Sequence, residues 1–163
     1  MSGNIPNWNY TKDSREETSS LEDTMEKLDY EQMNGLSLAY IGDAIYEIKV
    51  RTHLVSTGLT KVNDLQKKSR HYVSAKAHAA IFNLMRDDHY LTEEELHYFK
   101  RGRNAKSYTK AKNTNVVAYR ISTGIEAMVG YLYLSGQSER LDQMMDWIYE
   151  QVEQGRVDDA KTK

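Results

Sequence analysis

The sequence predicts an all-α fold. Three observations carry this: apolar residues recur at helical spacing in stretch after stretch, alternating apolar–polar runs bounded by hairpin turns are missing, and the one proline, Pro6, lies ahead of all the patterned segments. At 163 residues, 39% of them hydrophobic and 28% charged, the chain has the size and composition of one globular domain.

Residues 1–30 are polar with little apolar periodicity and read as a disordered N-terminal arm, with a turn or two of helix from Leu21 onwards. The folded domain is expected over 31–153, followed by a tail over 154–163. Its first long helix runs from Leu36 to about Val55 and stops near Gly58, a residue suited to a helix C-terminus. Asn63 is a candidate cap for a short helix to about Tyr72, and Ser74 for another to about Met85. Thr92 and Glu95 have capping-box spacing, so a helix starts there and should reach an Arg101-Gly102-Arg103 turn. A loop is expected over 104–113. A second long helix follows from about Asn115 to Leu134, closed by Ser135-Gly136, and a last one covers 141–152 with Leu141, Met144, Met145, Ile148 and Val152 on one face.

There is no cysteine, which excludes disulfides, thiol nucleophiles and thiolate metal sites within this sequence. No apolar run approaches the length that spans a bilayer, and the first residues lack a signal peptide's apolar stretch, so the expectation is a cytoplasmic protein with no membrane partner. The net charge of −2 conceals an uneven distribution. Residues 36–135 hold nine acids and fifteen bases, and no acid occurs between Glu95 and Glu126. That interval contains Lys100, Arg101, Arg103, Lys106, Lys110, Lys112 and Arg120. Such a segment is either a solvated basic loop or the electrostatic footprint of a polyanion partner such as nucleic acid.

Two carboxylates stand out. In the first long helix, Leu38, Ile41, Ile45 and Ile48 form an apolar stripe and other residues make much of the remaining surface apolar, so near-complete burial is expected. Asp43 lies within it, directly after Gly42, a residue that costs about 1 kcal/mol in a helix interior unless a backbone or ligand must approach closely. Glu126 is the one acid of the second long helix; Tyr119, Ser122, Thr123 and Gly130 share its face, and Gly124 and Gly130 flank it. A buried carboxylate is protonated, paired with a cation or bound to a metal. Pairing with an internal Arg or Lys, exposure on a solvated strip, and a divalent cation held between the helices are the alternatives. Magnesium (Mg2+) suits the last, because it keeps several waters and needs few protein carboxylates.

At this point the residues resemble a known family. Leu38-Ala39-Tyr40-Ile41-Gly42-Asp43-Ala44 is similar to the first ribonuclease III signature, and Ile125-Glu126-Ala127-Met128-Val129-Gly130 to the second. Lys67-Lys68-Ser69, Val73-Ser74-Ala75-Lys76 and Lys100-Arg101-Gly102-Arg103-Asn104-Ala105-Lys106 resemble the Mini-ribonuclease III branch, over about residues 33–150 in all. The resemblance implies a ribonuclease III endonuclease-domain-like helical bundle that cleaves double-stranded RNA as a homodimer with magnesium. It also implies maturation of the ends of the 23S ribosomal RNA precursor in bacteria. Asp43 matches the family's catalytic aspartate, and Glu126 its catalytic, metal-binding glutamate. Two departures are visible: Ala39 and Thr123 stand where the longer enzymes carry further acids, so two of four carboxylates remain, and Thr123 or Glu47 is left as a candidate helper through bound water. No segment long enough for a separate double-stranded RNA-binding domain follows the last helix in this sequence.

The catalytic domain must then grip the duplex itself. Arg101, Arg103, Asn104 and Lys106 are the candidate RNA-binding residues on the turn, with Lys68 and its neighbours Lys67 and Arg70 as further phosphate contacts. The histidines share no ligand or catalytic motif; His71 and His78, seven apart, could share a helix face, with surface or packing roles the ordinary reading. Met33, Leu36, Tyr40 and the 131–133 segment are candidate surface for self-association. The competing readings are a non-catalytic RNA- or ribosome-binding member of the same fold, and a helical interaction module unrelated to nucleic acid.

Overall fold

The structure, a computed structural model, describes residues 20–106 and 115–157. Seven helices follow one another: α1 (Leu21–Lys27), α2 (Gly35–Ser56), α3 (Val62–Val73), α4 (Ala75–Asp87), α5 (Glu93–Arg103), α6 (Val116–Leu134) and α7 (Ser138–Glu153), with no strand among the described residues. None is long and apolar enough to cross a membrane.

Helix α6 is the axis of the domain. Ile125, Ala127, Met128, Val129 and Leu132 have no solvent exposure, so residues round most of its circumference are covered. Helices α2, α5 and α4 pack against it, α7 closes one end, and α3 rests on α2 and α4. Aromatic side chains make several of the seams: Phe82 of α4 stacks on Phe99 of α5, and Tyr98 of α5 on Tyr131 of α6, each pair with ring centroids 3.9 Å apart.

The helix starts follow capping chemistry. Asn34 accepts from the Ser37 amide, Ser74 from the Ala77 amide and Asn115 from the Val117 amide. The Thr92–Glu95 capping box is present in both directions, and Glu95 does more than cap. It is 2% exposed, and Arg140 of α7 binds both its oxygens, at 2.6 and 3.0 Å, while also donating to the Tyr90 carbonyl. One buried ion pair therefore ties the start of α5 to α7.

Several expectations are corrected. Helix α3 starts at Val62 after Lys61, without a side-chain cap, so Asn63 lies inside it. Arg101 to Arg103 form the last turn of α5 rather than a turn beyond it, and α7 begins one turn early, at Ser138. The buried stripe of α2 is Leu38, Ala39, Gly42, Tyr46, Val50 and Leu54, whereas Ile48 is 59% exposed and Tyr40 81% exposed. Helix α2 is thus covered along one face, not all round, because it lies on the outside of α6. His71 and His78 fall on different helices, separated by the cap at Ser74. Helix α1 is the turn or two of helix expected from Leu21 onwards, and it carries a Ser20–Asp23 capping box. The expected loop at 107–113 and the termini at 1–19 and 158–163 lie outside the described residues.

Candidate active site

The close approach of α2 and α6 follows from two glycines. A Cβ on Gly42 would sit 1.6 Å from the Glu126 carbonyl oxygen and 2.7 Å from the Gly130 nitrogen. A Cβ on Gly130 would sit 2.1 Å from the Leu38 carbonyl oxygen. The two backbones therefore touch at this crossing, and no other residue type fits at either position. Asp43 is adjacent to one contact point and Glu126 is the other. Helix α5 joins the same junction: a Cβ on Gly102 would meet the Thr123 carbonyl and Ala127, and one on Gly35 the Arg101 carbonyl.

Asp43 is exposed and Glu126 half-buried. Burial pushes the Glu126 carboxyl up to about 8, and the nearby charge of Asp43 adds to the effect, with a smaller contribution from Glu47; the Ser122 hydroxyl works against it. Asp43 is raised too, by desolvation and then by Glu47. Among the described residues neither acid forms an ion pair. Two carboxyls are thus held near one crossing, one of them desolvated, with no cation paired to either among the described residues. Pairing with an internal Arg or Lys, one of the alternatives open from sequence, does not occur among those residues.

No group of three or more His, Asp or Glu side chains with metal-holding geometry occurs among the described residues. A desolvated carboxyl raised further by a neighbouring one fits a hard divalent cation, for which Asp43 and Glu126 would be the protein ligands.

Comparisons with known proteins give the family. The Ribonuclease III domain model matches residues 36–137, a span that holds the α2–α6 crossing and both acids. The Mini-ribonuclease 3 of Enterococcus faecalis is 54% identical over 124 residues, covering 76% of this chain and 94% of that protein. That of Clostridium tetani is 45% identical over 141 residues, covering 84% and 92%. A crystal structure of a Fusobacterium nucleatum protein superposes with a TM-score of 0.64 at 29% identity, covering 75% of this chain and 96% of that one. The chain belongs to the ribonuclease III family, in its Mini-ribonuclease 3 branch. It is an endoribonuclease.

The departures from the longer ribonuclease III pattern can now be placed. Ala39 is 5% exposed, in the stripe of α2 that packs on α6. Thr123 is 8% exposed and its hydroxyl donates to the Tyr119 carbonyl of its own helix, so its proton is committed there and its lone pairs are not. Glu47, one turn beyond Asp43, is held by Arg51 at 3.0 Å yet close enough to raise both acids.

The basic residues differ in how free they are. Arg101 is half-buried: it donates to the Glu31 carbonyl at 2.6 Å, and its guanidinium lies over the Tyr98 ring. Arg103 lies over Phe99 and donates through Nε to Asn104. Lys106 and Asn104 are exposed just past α5, and Lys68 is exposed on α3. The self-association candidates divide likewise. Leu36 and Tyr40 are exposed and line a shallow depression with Met33 and Ile41, whereas Tyr131 and Leu132 belong to the core.

One part of the site was missed. Ser122 Oγ donates to Glu126 Oε1 at 3.5 Å and meets Nδ1 of the buried His78 at 2.7 Å. Ser122 precedes Glu126 by four residues, so its place on the same face is legible in sequence. His78 comes from α4, and no local spacing connects it to the acids.

Proposed function

We propose that this endoribonuclease is magnesium-dependent and cleaves double-stranded RNA as a homodimer, maturing the ends of the 23S ribosomal RNA precursor in the cytoplasm. Residues 31–153 are its catalytic domain, between an arm at 1–30 and a tail at 154–163. The observation that carries the metal reading is the pair Asp43 and Glu126, set at a helix crossing with no cation partner among the described residues. The ribonuclease III family is in general dependent on divalent metal and acts on double-stranded RNA, which supports the same reading.

Asp43 and Glu126 would hold the ion. When bound, magnesium would supply a Lewis acid for the phosphoryl oxygens and lower the pKa of a bound water. Glu126, which holds its proton at neutral pH in the metal-free protein, would have to release it to act as a ligand, and its half-buried position limits competing water. Asp43 lies on the exposed side, where a phosphodiester can reach it. Lys68, Arg103 and Lys106 neutralise phosphates along the duplex, and Asn104 hydrogen-bonds to sugar or phosphate oxygens. Arg101 contributes least to this set, since its guanidinium donates to the Glu31 carbonyl and lies over the Tyr98 ring. The exposed Leu36–Tyr40 surface supports the homodimer, which would place two centres along one duplex.

The test is cleavage of a structured pre-23S RNA by the purified chain. Activity is expected with magnesium, none with chelator, and a loss of at least about 100-fold for Asp43→Asn and for Glu126→Gln. Cleavage that persists in either variant would remove the reading, and binding without cleavage by the wild type would favour a non-catalytic role.

A further inference from the structure

Resting on the reading of Glu126 as an ion-holding carboxylate, we propose that His78 and Ser122 are positioning residues for it. They form a buried hydrogen-bond chain that runs from the imidazole Nδ1 through the Ser122 hydroxyl to Glu126 Oε1 and fixes the carboxylate's orientation.

The geometry comes from three helices. His78 is in the first turn of α4 and 1% exposed. The edge-on Tyr46 ring of α2, 4.8 Å away, confines its imidazole, and Tyr46 is itself anchored by donating to the Tyr72 carbonyl at 2.7 Å. Ser122 is 8% exposed on α6. Its hydroxyl lies between the two partners, 2.7 Å from Nδ1 and 3.5 Å from Oε1.

Burial keeps His78 neutral, against the pull of the Tyr72 backbone carbonyl, so its ring has one N–H and one bare nitrogen. Nε2 makes no hydrogen bond of good geometry among the described residues, whereas Nδ1 lies 2.7 Å from the Ser122 hydroxyl. The chain requires the tautomer with the hydrogen on Nδ1, which donates to Ser122 and leaves the serine proton for Glu126. The opposite tautomer would take that proton for the imidazole and leave Glu126 without its donor among the described residues. The 3.5 Å link is long for a neutral acceptor and shortens once the carboxylate is charged. A second residue that holds a ligating group in one orientation typically changes metal affinity by 10–100-fold when removed.

The experiment measures Mn2+ affinity by calorimetry, alongside single-turnover cleavage and RNA affinity without divalent metal. The full chain and its variants Ser122→Ala, His78→Leu and His78→Gln are compared. Ser122→Ala and His78→Leu should each weaken Mn2+ binding and slow cleavage by about 10-fold, with metal-free RNA affinity unchanged. The double variant should be no worse than Ser122→Ala alone, because both break one chain. His78→Gln keeps an amide N–H and should recover most of the affinity, which a purely packing role for His78 would not produce. Ser122→Ala, nearly isosteric, carries the test if His78→Leu fails to fold. The proposal is overturned if Ser122→Ala binds Mn2+ like the wild type, or if only Ser122→Ala is affected while folded His78→Leu is not. Failure of the wild type itself to bind Mn2+ would instead overturn the ion-holding reading of Glu126 on which the proposal rests.

Discussion

Glu126 contributes to stability with an unusual sign. Below the ordinary glutamate value of 4.5 both the folded and the unfolded chain keep the proton. Between 4.5 and about 8 the unfolded chain releases it while the folded one retains it, so the metal-free protein loses stability as pH rises through this window and levels off above it. His78 acts on the opposite side. Its imidazolium is depressed from 6.5 to about 4, so stability falls as pH drops below 6.5 and levels off below about 4. Replacing Glu126 with Gln removes the first slope and leaves the second. In metal-free buffer at pH 8.5 the variant should be more stable than wild type by about 3 kcal/mol, allowing for partial solvent contact, or roughly 6–12 °C in Tm. At pH 4.5 the two should melt together. Thermal denaturation across pH 4–9 checks this, and a wild-type curve without the alkaline slope would mean that Glu126 ionises freely.

The element that decides the site is the α2–α6 crossing, and it rests on Gly42 and Gly130. Neither position can take a methyl group: the obstacles are the Glu126 and Leu38 carbonyls, which are backbone and cannot rotate aside. Gly42→Ala and Gly130→Ala should each cost about 4 kcal/mol or leave the chain unable to fold, beyond what helix propensity would offer in compensation. Urea denaturation measures this, with Gly136→Ala as a contrasting turn position where nothing crowds the Cβ and only the left-handed backbone is strained. Gly42 was readable in sequence as a point of close approach, since a glycine in a helix interior is unfavourable without such a reason. That its neighbour would be the Glu126 carbonyl was not readable, because pairing depends on how two helices far apart in sequence dock. The same limit explains the one error in the stripe of α2. Leu38, Ile41 and Ile45 do lie in or against the core, whereas Ile48 is exposed, and the docked face also contains Ala39 and Gly42, small residues with little weight in a hydropathy pattern. The capping sites at Ser74 and Thr92 were legible because they are local, and His78 was not because its partner is on α6.

Across the whole molecule, exposed charge and exposed apolar surface are where the proposed RNA and homodimer contacts can be tested. Tyr40 and Leu36 sit on the outer face of the helix whose inner face meets α6. Tyr40→Glu should therefore leave the monomer's Tm nearly unchanged and shift sedimentation towards monomer; an unaltered dimer would put the contact elsewhere. Charge gives the more discriminating experiment. Basic residues past α5 and on α3 that neutralise phosphates release counterions, so log affinity for duplex RNA falls linearly with log salt, with a slope near 0.7–0.9 per phosphate neutralised. Lys106→Ala and Lys68→Ala remove exposed ammonium groups for which no partner occurs among the described residues. Each should lower the magnitude of that slope by about one unit per contact made and leave the Tm within about 0.5 kcal/mol equivalent of wild type. Arg101→Ala should behave oppositely. Its guanidinium holds the Glu31 carbonyl and covers Tyr98, so its loss reads mainly as destabilisation, with the salt slope nearly unchanged. Measuring duplex binding from 50 to 300 mM salt beside thermal melts separates the two behaviours. A full unit of slope lost in Arg101→Ala would place that side chain against RNA despite its internal partners.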